Sequence, residues 1–116
     1  MSILQKYQLE IKKINGSIHL ISEIEKFQIL SQYLDLWNNT REIKETLLPE
    51  INLVLNGMLE YNDIGGDVVG VAFVEKEKTE LNGSEVGYSK MTLPTQDFKD
   101  LITEWLNILE NQKDQG

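Results

Sequence analysis

The sequence predicts an α+β fold: an antiparallel β-sheet that includes an N-terminal hairpin, packed by helices, the last of them amphipathic. Three observations predict it: an alternating segment that ends in Asn15-Gly16, short apolar runs between glycine-containing turns in the second half, and a helical apolar stripe near the C-terminus. The 116 residues suit one core, and no linker-like segment divides them, so we expect residues 1–116 to form a single domain.

The first element is a hairpin, because Asn15-Gly16 is the strongest short hairpin signal and follows alternating apolar and polar residues. The two-residue loop fixes the register, and the predicted pairs are Ile14 with Ser17, Lys13 with Ile18, and Ile11 with Leu20. One face is predicted to be apolar, comprising Tyr7, Leu9, Ile11, Ile18 and Leu20. His19 is predicted on the other, polar face beside Lys12, without an orienting carboxylate.

Residues 22–38 fit two structures. Ser22 and Glu25 match a capping box, and apolar residues at three- and four-residue steps favour a helix. The alternative is a strand covered on both faces and ended by a turn at Asn38-Asn39. We expect the helix, but the pattern leaves the strand open.

A second helical segment follows, with Asn39 or Thr40 as its N-cap. Its apolar stripe comprises Ile43, Leu47, Ile51, Val54 and Leu55. Pro49 predicts either a kink or two short helices with Pro49 as the first residue of the second. Gly57 is the expected end of the helix.

The second half predicts β structure, with strands near 58–62, 67–75 and 86–92. Residues 63–67 are predicted to form a turn because they contain Gly65-Gly66 between aspartates, and Asn82-Gly83 predicts another turn. The connections are too short for helical crossovers, so the sheet is expected to be antiparallel.

The last helix is expected to begin with Thr95 as its cap, just after Pro94. Its stripe comprises Phe98, Leu101, Ile102, Trp105, Leu106 and Leu109, and we expect this stripe to supply the largest share of the core. The residues 111–116 are expected to be a frayed tail.

Composition excludes several chemistries. Cysteine is absent and His19 is the single histidine, which excludes thiol nucleophiles, cysteine-ligated metals and any site built from two histidines. No serine lies in a G-x-S-x-G elbow, and Gly65-Gly66 enters a strand without the lysine of a phosphate loop. We therefore expect no enzyme, no metal and no cofactor. A small enzyme with paired carboxylates among Asp63, Asp67, Glu75 and Glu77 is a minor alternative.

Charge is unevenly distributed along the chain, whose net charge is −8. Residues 1–57 hold six basic and seven acidic side chains, whereas residues 58–116 hold five basic and twelve acidic ones. A negative field of this kind repels nucleic acid and anionic membranes and attracts a basic partner. The first residues lack the apolar core of a signal peptide and no apolar run could span a membrane, so a cytoplasmic location is expected.

The second half also resembles a known group of proteins. The cues are the helix end Val54-Leu55-Asn56-Gly57, the Gly65-Gly66 turn, the strand Val68 to Glu75 followed by Lys78-Thr79, and Leu93-Pro94-Thr95 with Phe98 and Trp105. With these cues, residues 47–109 resemble small immunity proteins of bacterial polymorphic toxin and contact-dependent inhibition systems. The resemblance implies a cytoplasmic inhibitor that binds one cognate toxin, often a basic nuclease, at or near its active site.

Under this resemblance, the toxin is expected to bind an acidic surface with two tyrosines. Its residues are Tyr61, Asp63, Asp67, Glu75, Glu77, Glu80, Glu85 and Tyr88. No direct contact with nucleic acid or membrane is expected, and exposed strand edges leave room for a homodimer. A regulatory or phage-type adaptor domain that binds another protein would have the same composition and is the alternative function.

Overall fold

The computed structural model describes residues 2–66, 70–83 and 90–115. The helical elements are α1 (Ile3–Lys6), α2 (Glu25–Leu36), α3 (Thr40–Glu42), a π-helical turn (Ile43–Leu47), α4 (Leu48–Leu55) and α5 (Thr95–Gln115). The strands are β1 (Glu10–Ile14), β2 (Ser17–Ile21), β3 (Tyr61–Gly66), β4 (Gly70–Glu75), β5 (Lys78–Gly83) and β6 (Lys90–Pro94). The predicted α+β class is confirmed.

The N-terminal hairpin has the predicted register, with Ile14 opposite Ser17 and Ile11 opposite Leu20. It forms a two-stranded sheet of its own, separate from the sheet β3-β4-β5-β6. The hairpin contacts the rest of the molecule through β2 and α2, so the side chains of β1 are exposed. Ile11 lies opposite Leu20 on the predicted apolar face, but it is 40% exposed, so this face is only partly buried. Tyr7 and Leu9 are buried, but they precede β1.

The segment 22–38 contains a helix, as expected, and not the alternative strand. Leu30 and Leu34 are fully buried. The predicted capping box is wrong, because α2 begins at Glu25 after Ile24 and has no side-chain cap. The Ser22 hydroxyl instead accepts a hydrogen bond from the Ile24 N–H at 3.1 Å. Serine often makes such local bonds, which compete with capping.

The second helical segment accommodates its proline through the π-helical turn. Asn39 is the N-cap, and its side chain accepts a hydrogen bond from the Glu42 N–H at 3.1 Å. The Leu48 N–H bonds to the Ile43 carbonyl five residues earlier, which widens the helix just before Pro49. Because proline lacks an N–H and crowds the carbonyl four residues back, a widened turn relieves the conflict. The second helix thus starts at Leu48, one residue before the predicted start.

The end of α4 is the predicted glycine stop. Gly57 has a φ of +80°, a conformation that glycine adopts without steric cost. Its N–H bonds to the Val54 carbonyl at 3.1 Å, and the Met58 N–H bonds to the Leu53 carbonyl at 2.9 Å. This pair of bonds is a Schellman motif, so it satisfies carbonyls at the helix end.

Two predicted turns in the second half are wrong. The first was predicted at residues 63–67, but residues 63–66 belong to β3, because Ile64 is buried opposite Ala72 and fixes the segment as a strand. The second, Asn82-Gly83, closes β5, and the turn lies at residues 76–77 instead. The predicted strand near 58–62 begins only at Tyr61. The predictions for residues 67–69 and 84–89 fall outside the described residues.

The core lies between the four-stranded sheet and the helices that cover one of its faces. Phe98, Leu101, Ile102 and Trp105 of α5 are fully buried, which confirms the predicted stripe. The Trp105 indole N–H donates to the Trp37 carbonyl at 2.8 Å. α5 continues to residue 115, beyond the predicted end at Glu110, since no glycine or proline interrupts it there.

The start of α5 is fixed by contacts to distant segments. Thr95 is fully buried and is not the predicted cap, because its hydroxyl donates to the Glu75 carbonyl and lies 2.8 Å from the Thr79 hydroxyl. Asp97 accepts hydrogen bonds from Lys6 Nζ at 2.8 Å and from the Tyr7 hydroxyl at 2.6 Å. These contacts link α5 to the sheet and to α1. None of the helices in the described residues is both long and apolar enough to cross a membrane.

Candidate functional site

The four-stranded sheet presents one face to the helices and leaves the other uncovered by the described helices. Side chains alternate between these faces along each strand. The inward residues are buried and comprise Ile64, Ala72, Val74, Thr79, Leu81 and Leu93. The outward residues define what we call the open face: Tyr61, Asp63, Val71, Phe73, Glu75, Lys78, Glu80, Asn82, Lys90 and Thr92. The open face is rigidly supported because its backbone also carries the core.

An aromatic pair lies at the β3 end of the open face. The rings of Tyr61 and Phe73 are stacked, with centroids 6.1 Å apart and planes at 22°. Tyr61 is 47% exposed, whereas Phe73 is half-buried beside it. Stacking of this kind holds both rings in place, so the pair is a preorganised apolar contact surface.

Two carboxylates flank the aromatic pair. Glu75 lies directly opposite Tyr61 across the β3–β4 ladder, and Asp63 lies opposite Phe73. Desolvation raises the pKa of the Tyr61 hydroxyl, and the negative charges of Asp63 and Glu75 raise it further. The hydroxyl therefore stays protonated over the physiological pH range and keeps a proton to donate. The pair thus combines an apolar surface, a hydroxyl and two negative charges.

The other end of the open face is internally compensated. Lys90 Nζ lies 3.0 Å from Glu80 Oε1. The hydrogen bond from Lys90, followed by a smaller one from Asn82, lowers the pKa of Glu80. Within the described residues, Asp63 and Glu75 form no ion pair. The negative charge available to a partner is therefore concentrated around Tyr61.

Exposed apolar side chains lead into this region from α4. Met58 is 73% exposed and Leu59 is 39% exposed, and both precede β3. Large apolar residues exposed side by side are typical of binding surfaces when polar groups surround them. They lie three and two residues before Tyr61, with Glu60 between them and the start of β3.

The predicted site is partly assembled by the fold. Four of its residues share the open face, namely Tyr61, Asp63, Glu75 and Glu80. Glu77 lies apart from them in the exposed β4–β5 turn. Asp67, Glu85 and Tyr88 fall outside the described residues. The prediction missed Phe73. The small Ala72 between the larger Val71 and Phe73 was a signal that the two faces of this strand carry side chains of different size.

His19 differs from its prediction. Its Nδ1 lies 3.0 Å from Asp35 Oδ2, so an orienting carboxylate is present after all. The other oxygen of Asp35 accepts a hydrogen bond from the Leu20 N–H at 3.0 Å. Asp35 comes from α2, which is why the sequence of the hairpin alone did not reveal it. The described residues contain no group of three or more side chains that could hold a metal.

These features define an architecture: an antiparallel four-stranded meander with helices on one face and an aromatic, acidic patch on the other. No protein-family model matches the chain, and no curated protein or solved structure compared with it matches either. The open face, with its stacked aromatic pair and two carboxylates, is therefore the feature that points to a function.

Proposed function

We propose that this protein is a bacterial immunity protein that binds and neutralises a cognate toxin through its open face. The toxin is expected to be a basic domain, such as a nuclease. One observation carries the proposal: the exposed Tyr61 and the half-buried Phe73 stacked on it are flanked by the carboxylates of Asp63 and Glu75, which form no ion pair within the described residues. The proposed location is the bacterial cytoplasm, where such a toxin would act.

The composition of the patch fits tight binding to a basic protein. Aromatic residues held rigidly near the centre of an interface supply a large share of its binding energy. Carboxylates around them steer a positively charged partner and suppress binding of acidic ones. A standard interface buries about 1,600 Å² in total, so the partner would extend beyond Tyr61 and Phe73 over neighbouring side chains of the sheet.

To inhibit the toxin, this protein needs only to occupy the toxin's active site or a surface near it, and it need not catalyse a reaction. An immunity protein that covers a nuclease active site excludes the substrate, and its carboxylates occupy positions that the nucleic-acid phosphates would otherwise take. The proposal therefore needs no cofactor, no metal and no catalytic residue. An electrostatic contribution also predicts that binding weakens as salt is added, because screening shortens the range of the attraction.

The test is a binding measurement with the purified toxin domain encoded beside this protein's gene. Reversing both carboxylates in Asp63→Lys/Glu75→Lys is expected to weaken binding by at least about 100-fold, as for charged contacts worth about 3 kcal/mol. The matched control, Glu10→Lys/Glu23→Lys, makes the same change in net charge at exposed residues outside the four-stranded sheet. It is expected to keep nearly full affinity.

Growth of cells that produce the toxin provides the functional readout. The unmodified protein and the control variant are expected to protect these cells, whereas Asp63→Lys/Glu75→Lys is expected to fail. Equal loss of affinity in both double variants would show that binding depends on the net charge of the protein and not on the open face. That result would contradict the proposed site. If the protein did not neutralise the toxin but bound a different protein at the open face, the toxin proposal would be rejected. The protein would then be a regulatory or phage-type adaptor.

A further inference from the structure

A second surface is a cleft of about 710 Å³ between the hairpin and the segment that starts α3. The charged side chains that line it are basic, unlike those around Tyr61 on the open face. Lys13 and His19 line it from the hairpin, and Asn39 and Arg41 line it from the other side. Among the described residues that line it, none is an aspartate or a glutamate. In a chain with a net charge of −8, a cleft with this lining favours an anion.

The histidine in this cleft is held in one orientation. Asp35 Oδ2 lies 3.0 Å from His19 Nδ1 and fixes that nitrogen as the protonated donor. Asp35 is itself anchored, because its other oxygen accepts the Leu20 N–H. His19 Nε2 is therefore the ring nitrogen left for a ligand. Positioning by a carboxylate in this way is typical of histidines that bind or exchange protons.

Two further side chains are oriented by the start of α3. Asn39 uses its Oδ1 to accept the Glu42 N–H, so its amide nitrogen is left with two hydrogens to donate. Arg41 contacts Glu45 through Nε at 3.2 Å, and its terminal nitrogens make no side-chain hydrogen bond within the described residues. An exposed pair of this kind is weak and does not prevent Arg41 from binding another anion.

We propose that this cleft binds the phosphate group of a small phosphorylated molecule. Phosphate offers several oxygens, enough to accept bonds from the guanidinium of Arg41, the ammonium of Lys13 and the amide of Asn39 together. With Nδ1 bonded to Asp35, the Nε2 of His19 donates to phosphate only when the ring is an imidazolium. A phosphate ion fills only part of about 710 Å³, a volume within the range of small-molecule sites, so the remaining space suits a sugar or similar group. This site is independent of the proposed toxin-binding function.

The probes are inorganic phosphate and ribose 5-phosphate, titrated separately into isotopically labelled protein at constant ionic strength and followed by NMR. Saturable shifts of backbone amides around Ser17, His19 and Asn39 are expected, with a dissociation constant of about 1 mM or lower. Tighter binding of ribose 5-phosphate would assign the rest of the cleft to the attached sugar. Equal binding would assign the site to the free ion, and either result supports a phosphate site.

The variants separate a specific site from general attraction. Lys13→Gln/Arg41→Gln is expected to weaken binding at least tenfold, and His19→Gln is expected to weaken it less. The control Lys76→Gln/Lys78→Gln removes the same charge at exposed residues of the β4–β5 hairpin and is expected to leave binding unchanged. Unchanged amide spectra elsewhere establish that each variant is folded.

Two results would overturn the proposal: no saturable shift with either probe up to about 20 mM, roughly twenty times the expected dissociation constant, or equal weakening by the control pair. Toxin neutralisation by Lys13→Gln/Arg41→Gln is measured in parallel. Because the cleft and the open face are separate, this variant is expected to protect cells fully. Failure of the phosphate proposal is thereby distinguished from failure of the toxin proposal.

Discussion

The two faces of the four-stranded sheet are built from alternate residues of the same strands, yet only one of them packs against the described helices. Ala72 and Val74 are fully buried against the helices, whereas Phe73 and Glu75 between and beside them belong to the open face. One face therefore determines stability, and the other is available for a partner. Substitutions at neighbouring positions should therefore change either the free energy of unfolding or the affinity for a partner, but not both to the same degree.

The largest effect is expected for Trp105→Ala. Trp105 is fully buried and its indole N–H is bonded to the Trp37 carbonyl, so the substitution leaves a large cavity and an unpaired carbonyl. We expect the free energy of unfolding to fall by about 3–5 kcal/mol, measured by urea denaturation. Leu109→Ala, at the half-buried end of the same stripe, is the control and should cost less. A negligible loss at Trp105 would show that α5 is not central to the core.

The next effect is expected at the buried hydroxyl pair that joins α5 to the sheet. Since the Thr95 hydroxyl donates to the Glu75 carbonyl, the Thr79 hydroxyl donates to Thr95. Thr95→Val removes both bonds and should lower the free energy of unfolding by about 1–3 kcal/mol. Thr95→Ser keeps the hydroxyl and should recover much of this loss. If serine were no better than valine, packing of the methyl group and not hydrogen bonding would explain the effect.

A pH-dependent effect is expected for Asp97→Asn. Hydrogen bonds from Lys6 and then Tyr7 lower the pKa of Asp97 below its ordinary value of 3.8. A carboxylate with a lowered pKa stabilises the fold fully above the ordinary value, and this contribution disappears as the pH falls through the lowered pKa. The variant should therefore melt below the unmodified protein at pH 7, and the difference should shrink below about pH 4. A difference independent of pH would contradict the ionic role of Asp97.

The smallest effect on stability is expected for Tyr61→Ala on the open face. Tyr61 is half exposed, and its stacking on Phe73 contributes about 0.5–1.5 kcal/mol to the free energy of unfolding beyond the area that the ring buries. Affinity for the toxin should instead fall about 30-fold or more, as for a hot-spot aromatic residue worth about 2 kcal/mol. Denaturation and binding measured on the same sample check this contrast. A large loss of stability with unchanged affinity would reverse the roles of the two faces.

Elements governed by local chemistry could be predicted from the sequence. Asn15-Gly16 determined the hairpin register because a two-residue turn admits one pairing. Gly57 marked the end of α4, and the stripe around Trp105 identified α5. In each case the residues that determine the structure lie within a few positions of one another.

Features that depend on distant partners could not be predicted. Residues 63–66 resemble part of a turn, but Ile64 is buried under the helices and these residues belong to β3, so packing overrides the local preference of Gly65-Gly66. The same limit concealed the contact between His19 and Asp35, which lie on different elements. It also concealed Phe73, since an apolar strand does not by itself reveal which of its faces the helices will cover.

The bond between Asp97 and the α1 region has a consequence for the order of folding. The meander pairs strands in chain order through short connections, so its contacts close quickly. Lys6 and Tyr7, in contrast, must close a loop of about ninety residues to reach Asp97, which costs more chain entropy. During synthesis on the ribosome, Lys6 and Tyr7 therefore cannot bond to Asp97 until residue 97 has emerged, long after they have.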